Sequence, residues 1–358
     1  MKKNGGKIRI KDIAQLAGVS EGTVDRVLHN RGEVSEKSRE AVQKVLKEID
    51  YSPNLLARSL ALKKQYKFIC FIPKHLSGDY WHSVDEGFNL ATQEFRNFNV
   101  EIIKKYFDQF DINSFVHVSK EILAETPDAV FIAPIFREET IKLTDELKNR
   151  RIHFSFIDSM IEEADFITYY GQHSFQSGYI AAKLILNSLP DEHAAVLVIR
   201  TQRKGSVSNQ TLHRYNGFMQ YIEDNGLKDT IELVNIELKD DDENTNFTLL
   251  SNVLSAHANI KAAITFNSKV YRLVKHLENL NQKHIQLVGY DLLEKNVDYL
   301  QKGVIAYLIA QRPEKQAYFT VQDMCRELIF HQETKKINYM PIDVLMKENI
   351  AYYVDLKD

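Results

Sequence analysis

The chain has 358 residues, 44% of them apolar and 27% charged, with a net charge of −3. Its length exceeds what one core ordinarily organises, so two or three folding units are expected, and its balance excludes disordered and fibrous classes. The charge is uneven: residues 1–64 hold 14 Lys and Arg against 8 Asp and Glu, whereas the remainder holds 32 against 41, so a basic head precedes an acidic body. A basic head attracts phosphate without regard to sequence, and an acidic body is kept off a nucleic acid duplex.

In the head, IKDIAQLAG over residues 10–18 puts Ile13, Leu16 and Ala17 on one helical face, and Gly18 ends that helix in a left-handed turn. Ser20 is an N-cap for a second helix, EGTVDRVLHN, in which Val24, Val27 and Leu28 recur at helical spacing. Small Ala14 suits two helices crossing at a short turn. A third helix starts at the Ser35 cap and carries Val42, Val45, Leu46 and Ile49 as its apolar stripe. Tyr51, Pro53 and Asn54 end it, because the residue before proline is pushed out of helical geometry, and the short segment NLLARSLAL follows.

From Tyr66 onward, strand-like runs (KFICFIP, VEIIKKYF, AVFIAPI, IHFSFID, AVLVIR, AAITF, QLVGYD) alternate with helical patterns, which predicts parallel sheets sandwiched by helices. A second series begins at EHAAVLVIR. The predicted fold class is therefore a small all-α head plus an α/β body of two doubly wound lobes. Chain crossings are expected near 160–170 and 290–315, and the site is expected in the cleft beyond the carboxyl ends of the strands. Asp158, Asn267 and Asp291 fall at such strand ends, and Trp81, the one tryptophan, follows the first strand in the loop GDYWHS, where it could offer an aromatic face to a ligand. Cys70 and Cys325 read as core thiols, so neither a disulfide nor a metal is predicted. The acid runs at 162–165 and 240–243 read as solvated loop charge. The tail KENIAYYVDLKD reads as a final strand.

The ordered motifs KDIA, AGVS, TVDRVL, VS and YSPNLLARSL resemble the DNA-binding head of the lactose/galactose repressor family (LacI/GalR). The resemblance implies a helix-turn-helix whose second helix enters the major groove, with Glu21, Gly22, Thr23, Asp25, Arg26 and Asn30 facing DNA and Arg26 suited to a bidentate guanine contact. It also implies a hinge helix that forms on operator DNA, with Leu60 as a minor-groove wedge, Leu56 beside it, and a homodimer to supply the second copy. Asp25 stands where the family commonly has serine, and Glu21 and Gly22 also depart from its pattern, so the operator differs from that of better-known relatives.

The body motifs DYWHSVDEGF, YYGQHSFQSGYIAAKLI, HRYNGF, FNS, VGYD and IAQRPEKQAY resemble type I periplasmic sugar-binding proteins. This implies a small carbohydrate-type effector held by Trp81, Asp158, Arg214, Asn267, Asp291 and Gln311, with Arg312 and Pro313 fixing a crossing loop. His173 reads as a polar loop residue. The expected organisation is 1–52 DNA-binding, 53–65 hinge and 66–358 sensor and dimerisation. The resulting expectation is a cytoplasmic DNA-binding regulator, a repressor in family terms, that needs no cofactor and catalyses no reaction. An exported solute-binding protein for a sugar transporter is the alternative, and it leaves the helix-turn-helix without a use.

Overall fold

The structure is a computed structural model and describes residues 9–28, 32–49, 64–189, 194–203, 206–240 and 242–354. The head contributes helices Ile10–Ala17 (α1), Glu21–Leu28 (α2) and Glu36–Glu48 (α3). Gly18, at φ 66°, closes α1, and the Ser20 and Ser35 hydroxyls accept backbone N–H groups of the helices they precede. Ile13, Ala14, Val24, Val42 and Val45 form the head core, with Ala17, Val27, Leu28, Leu46 and Ile49 packed around it.

Leu16 does not join that core and is 62% exposed. The buried stripe runs through 10, 13, 14 and 17, and residue 16 falls roughly 110° from its centre, off the buried face. Asn30, Leu56, Leu60 and the predicted hinge lie outside the described residues.

The body is two α/β lobes. In lobe 1 the strands are Tyr66–Pro73 (β1), Val100–Phe107 (β2), Ala129–Ile132 (β3), His153–Ile157 (β4), Tyr169–Gln172 (β5) and Ile337–Met340 (β12). They pair in parallel in the order β12-β5-β4-β3-β1-β2. Its helices include Tyr80–Phe95 (α4), Ile112–Glu125 (α5), Arg137–Asn149 (α6) and Pro313–Leu328 (α12).

Lobe 2 contains strands Ala195–Arg203 (β6), Ser206–Val207 (β7), Leu233–Lys239 (β8), Ile260–Thr265 (β9), Gln286–Tyr290 (β10), Ile305–Ala310 (β11) and Asp343–Leu345 (β13). Its helices are Ser174–Asn187 (α7), Asn209–Asp224 (α8), Glu243–Ala256 (α9), Val270–Asn279 (α10), Glu294–Gln301 (α11) and Ile350–Val354 (α13). The sheet is parallel except where β7 and β13 join antiparallel. Each lobe buries its own core, with Phe71, Phe107 and Phe115 in one and Val198, Phe218 and Phe266 in the other.

The chain passes between lobes three times. The first passage follows β5 at 172–174, slightly beyond the expected window, because β5 still completes the lobe 1 sheet. The second is at 311–312, inside the window, and the third joins β12 to β13. Arg312, at φ 54°, donates from Nε and Nη2 to Asp343 at 2.6 and 2.9 Å and so ties the second passage to the third.

Three local expectations change. Residues 350–354 of the tail are helical rather than extended. Glu162, Glu163 and Asp165 are exposed as predicted, whereas Asp240 is buried and held by Lys269 at 2.6 and 2.8 Å and by Arg272 at 3.1 Å. Trp81 lies in the first turn of α4 rather than in a loop, because the Asp79 carboxylate accepts from the Leu76 N–H and turns the chain into the helix. Cys70 and Cys325 are buried free thiols. Among the described residues no helix is long and apolar enough to cross a membrane.

Candidate functional site

A cavity of about 580 Å³ opens between the lobes at the carboxyl ends of their strands, and Trp81, Asp158, Arg214, Asn267, Asp291 and Gln311 all line it. Asp158 and Asp291 occupy matching seats. Each is the first residue past a central strand, β4 or β10, and each has a left-handed backbone, at φ 71° and 68°. Aspartate adopts this conformation more readily than most residues, and such backbones gather where side chains must be aimed. Both carboxylates are buried.

Their surroundings differ. Asp158 Oδ1 accepts from Tyr80 Oη at 2.5 Å and from Gln210 Nε2 at 3.1 Å. Asp291 Oδ1 accepts from Gln311 Nε2 at 2.8 Å. Burial pushes the Asp291 carboxyl up to about 6, against the opposing pull of Arg214 and the Gln311 hydrogen bond. Burial and the neighbouring Asp158 raise the Tyr80 hydroxyl well above its ordinary range, so it remains a donor.

Arg214 is 1% exposed and lies over the Tyr290 ring, 3.9 Å from its centroid. Its Nη1 donates to the Phe266 carbonyl at 2.9 Å, while Nε and Nη2 have no hydrogen-bond partner among the described residues. Arg214 lines the cavity, and donors left open on a buried guanidinium call for an acceptor such as a ligand oxygen or a water. Two glycines set this wall. A Cβ on Gly178 would stand 1.8 Å from the Arg214 carbonyl oxygen, and one on Gly217 would stand 1.9 Å from that of Phe175, so only glycine lets α7 and α8 approach closely enough.

Asn267 is engaged within lobe 2, donating to Thr201 Oγ1 at 2.7 Å and accepting from the Lys269 N–H at 2.8 Å. Trp81 is 7% exposed and meets Tyr80 edge-on, with centroids 5.2 Å apart.

The body matches the family model described as a periplasmic binding protein domain over residues 69–332, and the head matches that described as bacterial regulatory proteins, lacI family, over residues 9–54. A solved protein of Bacteroides fragilis, assigned as a LacI transcriptional regulator, is 38% identical, with a TM-score of 0.75 over 81% of this chain and 100% of that one. This chain belongs to the lacI family of bacterial regulators. HTH-type transcriptional regulator DegA of Bacillus subtilis is 26% identical, and the match spans 62% of this chain and 62% of DegA. The sucrose operon repressor of Streptococcus mutans is 24% identical across 96% of this chain and 99% of that protein.

In this lacI-family head, Glu21, Gly22 and Arg26 are exposed on α2, and Thr23 and Asp25 are half-buried. The Thr23 and Ser20 hydroxyls lie 2.9 Å apart, so the expected phosphate contact of Thr23 competes with a capping bond. Gly22 has space for a side chain, its nearest would-be neighbour being Ser20 Oγ at 3.8 Å.

Several lining residues of the lacI-family cleft went unnoticed in the sequence: Tyr80, Phe110, Gln210, Lys269 and Tyr271. Two had a readable signal. Tyr80 adjoins Trp81, and Gln210 lies four residues before Arg214, on the same helical face. His173 caps α7, its Nδ1 accepting from the Gln176 N–H at 3.2 Å, which agrees with the loop reading.

Proposed function

We propose that this chain is a sequence-specific DNA-binding transcriptional regulator whose operator affinity is set by a small carbohydrate-type effector in the interlobe cleft. The observation that carries the reading is one lacI-family chain holding a helix-turn-helix head and a cavity built from both lobes of a periplasmic-binding-protein body. The cavity chemistry suits a polyol. Asp158 and Asp291 accept from hydroxyls, the open Nε and Nη2 of Arg214 donate to them, and Trp81 offers a face for the sugar ring.

In this reading the chain divides into a head (1–52), a hinge (53–65) and a sensor (66–358), and works in the cytoplasm as a homodimeric repressor. Glu21, Gly22, Thr23, Asp25, Arg26 and Asn30 face the groove, Leu56 and Leu60 act at the minor groove, and the cleft binds rather than transforms its ligand. Effector binding sets lobe closure, and closure is linked to DNA affinity by the difference between the two states. The transport-protein alternative leaves the head without a role.

The test is a fluorescence-anisotropy titration against operator DNA selected from a random pool, repeated over a panel of sugars, sugar acids and sugar phosphates. At least one compound shifts the operator affinity about fivefold or more. A head that selects no sequence, or a panel without effect in which turnover appears instead, overturns the reading. In the same assay Arg26→Ala weakens operator binding by about tenfold to a hundredfold and relaxes preference at one base pair.

A further inference from the structure

Asp158 belongs to lobe 1, where it follows β4, and Gln210 to lobe 2, in the first turn of α8. The Gln210 amide nevertheless donates to Asp158 at 3.1 Å, and the same nitrogen lies 3.4 Å from Gln311 Oε1 on the second passage between lobes. Gln311 in turn donates to Asp291 at 2.8 Å, and Tyr80 donates to Asp158 at 2.5 Å. One polar chain therefore runs Tyr80, Asp158, Gln210, Gln311, Asp291, and its link from Gln210 to Asp158 crosses the cleft directly rather than through a connecting strand.

A carboxylate oxygen only accepts, so the amide of Gln210 must present its NH2 group to Asp158, which fixes the orientation of that side chain. The bond joins a partly exposed residue to a buried carboxylate, and a hydrogen bond to a charged acceptor in such surroundings is among the stronger kinds.

We infer that Gln210 is a positioning residue of the cleft: its side chain latches lobe 2 to Asp158 of lobe 1 and favours the closed arrangement of the lobes. The latch keeps both acids aimed at one cavity and gives Asp158 a partner from the opposite lobe. The importance of this for regulation rests on the cleft being the effector site, but the latch itself can be measured without any effector, so the two ideas fail separately.

The 358-residue chain carries a built-in reporter, because Trp81 is its only tryptophan and lines the same cavity beside Tyr80. Acrylamide quenching of Trp81 and the radius of gyration from small-angle scattering would be measured without sugar for the parent protein, Gln210→Glu, Gln210→Ala and the double variant Gln210→Glu with Asp158→Asn.

Gln210→Glu sets two carboxylates against each other and shifts the closed-to-open ratio about tenfold toward open, with raised quenching and a larger radius. Gln210→Ala shifts it the same way by less. The double variant reverses donor and acceptor, remakes the bond and returns both readouts to parental values. A protein that has merely lost a structural contact gains nothing from the second change. Parental quenching and radius in Gln210→Glu, or no recovery in the double variant, overturns the inference.

Discussion

The two lobes each place an aspartate past the end of a central strand in a left-handed backbone, Asp158 after β4 and Asp291 after β10, yet they treat it differently. Lobe 1 gives Asp158 the Tyr80 hydroxyl and, from across the cleft, the Gln210 amide. Lobe 2 gives Asp291, among the described residues, the amide of Gln311 and enough burial to push its carboxyl up to about 6 despite Arg214. The backbone seat is shared, and the cost of holding charge in it is set by neighbours from other elements. One acid is anchored, while the other is held near the edge of ionisation, where a ligand can supply what the protein omits.

The lobes also share a device in their helices. Gly178 of α7 meets the Arg214 carbonyl of lobe 2, and in lobe 1 a Cβ on Gly87 of α4 would stand 2.1 Å from the carbonyl oxygen of Glu314 in α12. Gly178→Ala brings the largest expected loss, about 3 kcal/mol, since a backbone atom cannot swing aside as a side chain can. It also displaces Arg214, so a thermal melt and a sugar-response assay should fall together. Gly87→Ala lowers the melt comparably but leaves the Arg214 wall in place, which separates packing from site geometry.

The acids are next in size, and the same substitution acts in opposite directions. Asp291→Asn relieves a buried charge and stabilises the ligand-free protein by about 3 kcal/mol near pH 8. The sign follows from the raised folded value: the acid's favourable contribution is complete below about 3.8 and lost as pH rises through about 6. The gap between variant and parent therefore opens from pH 4 to pH 7 and is flat above. Asp158→Asn weakens acceptance from two donors and lowers stability by about 1 to 2 kcal/mol. Melting both variants across pH 4 to 8 decides the matter, and parallel behaviour would erase the distinction between the lobes. Tyr80→Phe, which removes one donor from Asp158, is the smallest change, at about 1 kcal/mol in the same melt.

Much of this was legible in the chain itself. The strands KFICFIP, IHFSFID and QLVGYD announce themselves by runs of buried, largely apolar residues, because a parallel strand covered on both faces has no polar side to alternate, whereas VEIIKKYF at the sheet edge is buried only at its two ends. Strands β5, β12 and β13 were not legible. They hold three or four residues each and form only because a neighbour offers backbone partners, as Tyr169–Gln172 does for Ile337–Met340. Asp240 was misread for a related reason: its acid run looks solvated until Lys269 and Arg272, about thirty residues on, close over it.

The sequence by itself determined the local matter: helix caps at Gly18, Ser20 and Ser35, the head motif, the alternation of strands and helices, and the residue types at strand ends. These depend on backbone preference and apolar spacing within a few residues. Tertiary structure alone decided which of those residues share a cavity, that Asn267 is spent inside its own lobe, and that Gln210 reaches Asp158 from the opposite lobe. The charge state of Asp291 was decided there too. Burial and through-space partners fix such properties, and neither is encoded at any fixed separation along the chain.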